Sequence, residues 1–150
     1  MNFKTSTINL RNSALLLFIL ICLDLFTKHF QFLYKITTNG FIYLDVAENR
    51  GSAFSLFSNV SWYNEVIIIV SIVLFLVGIY YIYKHQVEGF ELFIFTLFGA
   101  GLLGNLFDRI FLGYVRDFLG IQYFAIINIA DIYLSLAAIL LVYFEYKKDK

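Results

Sequence analysis

Two aspartates, Asp117 and Asp131, stand fourteen residues apart, with Asn128 three residues before the second. Carboxylates held a few ångströms apart cannot both ionise readily, so such a pair shares one proton near neutral pH. One member then takes a proton from water while the other, protonated, hydrogen-bonds the carbonyl under attack. That is the chemistry of peptide hydrolysis by an aspartate dyad, and such a pair titrates as a unit. Spacing alone does not demand it, since isolated aspartates in a polytopic chain also serve ion paths and helix contacts.

Other polar residues stand inside apolar runs, where a charge costs about 2.5–3.5 kcal/mol and therefore marks a candidate for function. Asp24 and Lys28 are four apart and can pair across one helical turn, either to hold their helix in place or to serve the site. Gly101, Gly104, Asn105 and Asp108 fall within about 120° of one another on a helix, with Arg109 beside them. The two glycines fit close helix packing. Asn105 and Arg109 place an amide and a guanidinium at the end of a span, where Arg can fork onto a carbonyl or carboxylate. Asn128 and Asp131 share a helix face with Ser135 and Ala138. No metal site is signalled: His29 and His85 are far apart, and the single cysteine, Cys22, excludes a disulfide framework or a cysteine-based metal site.

These groups must be positioned by membrane-spanning helices. Of the 150 residues, 61% are hydrophobic and only 15% charged, against about half and a quarter in soluble domains. Zero net charge leaves no basic stripe for nucleic acid. About 20 apolar residues span a bilayer, and four stretches qualify, at about 13–32, 66–83, 90–107 and 126–146, forming one polytopic domain. The first is expected to be retained, because no small-x-small cleavage site follows it. Cys22 reads as a buried apolar cysteine rather than a lipid-attachment site, since bulky Ile21 precedes it. Lys4, Arg11, Lys84, Lys147, Lys148 and Lys150 outnumber Lys35, Arg50, Arg109 and Arg116 on the opposite side, which puts both termini in the cytoplasm. The loops at about 33–65 and 108–125 then face outward. Phe41–Val46 and Gly120–Ile126 have strand composition, and Trp62 and Tyr63 fit the headgroup level. The expected fold is an all-α four-transmembrane-helix bundle with an outer cap of short strands.

Four blocks sharpen this reading: Leu23–Lys28 (LDLFTK), Asn49–Ser55 (NRGSAFS), Gly104–Arg109 (GNLFDR) with Val115–Phe118 (VRDF), and Asn128–Asp131 (NIAD). In type and order they resemble the signature blocks of the lipoprotein signal peptidase (signal peptidase II) family, over residues 13–146. The resemblance implies that the outer cap on the four-transmembrane-helix bundle is a small extracytoplasmic β-cradle. It also implies an intramembrane aspartic endopeptidase of the bacterial cytoplasmic (inner) membrane, working without a cofactor or metal on the extracytoplasmic side. It would remove signal peptides from diacylglyceryl-modified prolipoproteins by cleaving before the lipidated cysteine. Asp117 and Asp131 match the catalytic aspartates. Asn49, Asn105, Arg109 and Asn128, with Asp24 and Lys28 of the first-span motif, match the substrate-binding set. Gly51, Gly101, Gly104 and Asp108 match structural positions. The partners implied are the lipid-modified prolipoprotein, membrane lipids and cyclic peptide inhibitors of the globomycin type. The chain departs from the pattern at Ile127, where the family usually has Phe, and in a short stretch from Asp117 to Asn128 that lacks the usual proline.

An anchored substrate presents its scissile bond near the headgroups. Asp117 in an outer loop would meet Asp131 there, about 7–8 Å inside a helix that starts near Ile126. A small transporter using Asp24, Lys28 and Asp131 as a relay would leave Asp117 without a role. An assembly factor glued by polar residues would lose folding, and no enzymatic activity, on replacing either aspartate.

Overall fold

Asn9 opens the first helix by accepting a hydrogen bond from the Asn12 N–H at 2.9 Å, which satisfies a donor that helix starts leave orphaned. Helix α1 runs from Leu10 to Tyr34 and ends at Lys35, which turns into the left-handed region. Helices α2 (Tyr63–His85), α3 (Gly89–Leu112) and α4 (Ile129–Lys148) follow. The structure is a computed structural model, and it describes residues 8–51 and 62–148. All four helices are long and apolar enough to cross a membrane. A three-stranded antiparallel sheet, ordered β1 (Ile42–Asn49), β2 (Val115–Ile121) and β3 (Ala125–Ile127), caps one end.

Helix α3 is the axis of the bundle. Ser13 of α1 and Thr96 of α3 share a hydrogen bond of 2.5 Å toward one end, and Lys28 reaches Asn105 near the other, so α1 and α3 run parallel. Helix α4 runs back along α3, where Ile94, Leu97, Ala100, Tyr133 and Ala137 form the buried apolar cluster. Helix α3 meets α4 at Gly101 and α1 at Gly104 closely enough to exclude side chains. A Cβ on Gly101 would stand 2.6 Å from the Ala130 carbonyl, and one on Gly104 would stand 2.5 Å from Asp24 Oδ2. In lipid, where expulsion of water drives nothing, such backbone proximity is what lets helices gain packing energy.

Several expectations from sequence change here. Helix α4 starts at Ile129 rather than near Ile126, because Ala125–Ile127 pair with Leu119–Ile121 as a strand. The stretch 120–126 is therefore the end of one strand, a three-residue turn with Tyr123 at φ 65°, and the start of the next. That tight hairpin accounts for the short distance between Asp117 and Asn128. Asp117 lies within β2 and not in a loop. The strand expected at 41–46 extends to Asn49, with a bulge between Leu44 and Ala47. Cys22 is exposed on the outside of α1, not buried. Residues 52–55 of the second block lie outside the described residues.

Candidate active site

The NIAD block is a helix start. Asn128 precedes α4, its Oδ1 accepting from the Asp131 N–H at 3.0 Å, and Asp131 Oδ2 accepts in return from the Asn128 N–H at 3.1 Å. This reciprocal arrangement is a capping box, with aspartate in place of the more usual Glu or Gln three residues on. Negative charge is favoured in the first turn of a helix, so the block both starts α4 and seats a carboxylate at its mouth. The Ala130 N–H, also in that first turn, is satisfied from α1 by Asp24 Oδ1 at 2.9 Å.

The hairpin delivers the second carboxylate. Strand β3 passes directly into Asn128, which lies beside Asp117 of β2 and donates its amide N–H to Asp117 Oδ1 at 2.5 Å. From β1, Asn49 follows Ala47, the residue opposite Asp117, by two positions and so lies on the same face of the sheet. Its amide donates to Asp117 Oδ2 at 2.9 Å. Asp131 Oδ1 accepts from the Asn105 amide of α3 at 2.8 Å. Every oxygen of both acids thus holds one N–H, and Asn128 reaches both carboxylates, Asp117 through its side-chain amide and Asp131 through its backbone N–H.

Asp117 and Asp131 line one cavity of about 340 Å³ at the seam of sheet and bundle. Asn49, Asn105 and Arg109 share its polar wall, and Val115, Phe124, Ile126 and Leu134 supply apolar surface. Arg109 is 8% exposed and donates from Nη2 to the Gly51 carbonyl at 2.9 Å. Its Nη1 is buried without a hydrogen-bond partner among the described residues. Gly51 is itself fixed by its N–H to Asn49 Oδ1 at 3.0 Å. Burial pushes the Asp117 carboxyl up to about 7, with the Asp131 charge adding to the rise and the Asn128 and Asn49 donors opposing it.

Three residues expected to touch substrate do not line the cavity. Asn128, Asp24 and Lys28 are each 0% exposed. Asn128 bridges the acids from behind. Lys28 pairs with Asp24 at 2.8 Å and lies 3.5 Å from Asp108. Asp108 in turn takes the Arg116 N–H at 3.0 Å and its guanidinium at 2.7 Å. This pins the start of β2 one residue before Asp117, a job that the sequence spacing of Asp108 and Arg116 did not reveal. Among the described residues no group of three His, Cys, Asp or Glu side chains is placed to hold a metal ion.

Four apolar helices capped by a small antiparallel sheet are also the fold of two solved structures described as bacterial membrane enzymes. One superposes with a TM-score of 0.83 at 24% identity, covering 94% of this chain and 91% of that one. The other gives 0.78 at 25%, covering 89% and 91%. The signal peptidase (SPase) II family profile matches residues 16–147. The lipoprotein signal peptidase of Francisella tularensis subsp. novicida is 35% identical over 140 residues, covering 85% of this chain and 87% of the relative. That of Caldicellulosiruptor bescii is 38% identical over 109 residues, covering 73% and 70%. The chain belongs to the signal peptidase II family, and so to the membrane peptidases.

Proposed function

We propose that the chain is an aspartic endopeptidase of the bacterial inner membrane that cleaves diacylglyceryl-modified prolipoproteins before the lipidated cysteine. The observation that carries this reading is the placement of Asp117 and Asp131 on one cavity, linked through Asn128. The two acids act as a pair sharing one proton. The shared proton is assigned to Asp117, which burial and the Asp131 charge raise to about 7, and Asp131 takes the accepting role. A water between them gives its proton to Asp131 as its oxygen attacks the scissile carbonyl. The Asp117 proton is hydrogen-bonded to the carbonyl oxygen and passes to it as the tetrahedral intermediate forms. Collapse of that intermediate breaks the C–N bond: Asp131 gives its proton to the leaving amine, and the hydroxyl proton returns to Asp117 as the carbonyl re-forms, which restores the starting pair.

Asn49 and Asn105 hold the acids, and Nη1 of Arg109, without a partner among the described residues, binds a carbonyl of the substrate, which turns encounter into a positioned geometry. An apolar groove of about 350 Å³ between α2, α3 and α4, lined by Leu74, Gly78, Phe95, Phe98 and Leu141 among others, accepts apolar parts of an anchored substrate. Each buried CH₂ contributes about 0.8 kcal/mol there. Both ends of the described chain lie at the bundle end away from the sheet. With the excess of Lys and Arg there, this supports cytoplasmic termini and an extracytoplasmic site. Cyclic peptides of the globomycin type would compete for the same cavity.

The test is incubation of the purified chain with a diacylglyceryl-modified prolipoprotein, with product masses measured. The expected product begins at the lipidated cysteine, and neither Asp117→Asn nor Asp131→Asn yields it. Wild-type protein that leaves the substrate intact, where a Francisella tularensis relative cleaves it, would overturn the reading.

A further inference from the structure

We propose, resting on the peptidase reading above, that Lys28 is a positioning residue for hydrolysis: its ammonium fixes the amide of Asn105 so that Asn105 presents N–H, and not oxygen, to Asp131. Lys28 cannot act on substrate directly, being 0% exposed and absent from the cavity wall. Its Nζ lies 2.8 Å from Asp24 Oδ2, 3.0 Å from Asn105 Oδ1, and 3.5 Å from both the Gly104 carbonyl and Asp108 Oδ2. An ammonium carries donors only.

The two ends of a carboxamide are nearly the same size, so shape alone does not choose between its orientations. Here both neighbours choose the same one. With Oδ1 toward Lys28, Nδ2 reaches Asp131 Oδ1 at 2.8 Å. A turn of 180° would set NH₂ against the ammonium and oxygen against the carboxylate. Without the cation, one side of that choice is lost, and the amide can swing to donate to Asp24 or Asp108 instead.

The cost of the arrangement points the same way. Burying ions is commonly no better for stability than well-packed apolar residues of similar volume. Yet Asp24, Lys28 and Asp108 are all 0% exposed, three ionisable side chains taken wholly into the bundle. Asp24 offsets the Lys28 charge and also accepts from the Ala130 N–H, so the pair reaches the Asp131 turn of α4 by a second route.

The experiment is a double-mutant cycle on the full chain in detergent with the lipidated prolipoprotein. Lys28→Met is expected to lower kcat about tenfold or more, the loss of one charge-assisted hydrogen bond, with KM within about twofold of wild type. Asn105→Ala should lower kcat comparably, and the double variant should fall no further than the worse single one. Lys28→Met leaves the Asp24 carboxylate buried without its cation, whereas Asp108 keeps Arg116, so Asp24→Asn/Lys28→Met is the second variant. It removes the ion pair, keeps an acceptor for the Ala130 N–H, and should show the same kcat loss in a folded protein. Wild-type kcat in either folded Lys28 variant, or losses that multiply in the double variant, would overturn the proposal. So would failure of both Lys28 variants to fold, which would assign Lys28 to stability. Wild-type protein that cleaves nothing would instead remove the peptidase reading beneath it.

Discussion

Helices α2 and α3 are similar in length and both apolar, yet they meet opposite surroundings. In α2 only 6% of the most apolar stretch is buried, and Ser71 is its one buried residue. In α3 half of that stretch is buried, and the buried set includes Thr96, Gly99, Gly101, Gly104, Asp108 and Arg109. In water the more apolar helix would be the one buried. In lipid it is the one left outside, because tails solvate Ile, Val and Leu as well as protein does. Small residues and polar partners choose the centre instead, so the same residues that assemble the bundle are on hand to build a site.

That contrast can be broken most severely at the acids. Asp117→Asn or Asp131→Asn should reduce cleavage by about a thousandfold or more, measured by product mass, with the melting temperature in detergent near that of wild type. Retained cleavage in either would separate the polar centre from the chemistry. Next come the glycines. Gly101→Ala and Gly104→Ala should destabilise by about 1–3 kcal/mol, since the added methyl has no room. Gly78→Ala on α2, whose new Cβ would stand 3.9 Å from Phe95, should cost nothing measurable in the same thermal unfolding assay.

The pH dependence sharpens the comparison from the side of the sheet. The Asp117 carboxyl is raised to about 7 from 3.8, so its proton is present below that value and lost above it. The kcat/KM profile should therefore fall on its alkaline side with a midpoint near 7. Because the folded state holds this proton more tightly than the unfolded chain, wild type loses stability as pH rises between about 4 and 7. Asp117→Asn has nothing to ionise there. Its melting temperature should gain on that of wild type by a few degrees between pH 5 and 8, and a constant gap would refute the burial cause. The smallest effect belongs to the outside of α2, where Ile69→Leu and Val77→Leu should change stability by less than about 0.5 kcal/mol.

Much of this was legible from residue types. Apolar runs found the four helices, because a bilayer imposes one length on any helix that crosses it. The glycine and asparagine face of α3 was visible at 3.6 residues per turn. What escaped was whatever depends on a partner distant in sequence. Asp117 looked like a loop residue because its strand is held by hydrogen bonds to β1, some 70 residues earlier, as in the Ala47–Asp117 pairing. NIAD read as the interior of a helix because Ile126 and Ile127 suit a span as well as a strand, and only pairing with Leu119 and Gly120 decides between them. Asp24 and Lys28 were rightly seen as able to pair. Their position behind the cavity follows from the Ala130 N–H and the Asn105 amide, which no spacing within α1 could announce.

A single residue, Asn128, separates the last strand from the last helix, with no slack between them. Any displacement of the β2–β3 hairpin would therefore be passed to the first turn of α4 and, through Asn128, to both carboxylates. The seating of the hairpin and the seating of the two carboxylates are thus one mechanical fact, and neither can shift while the other stays in place.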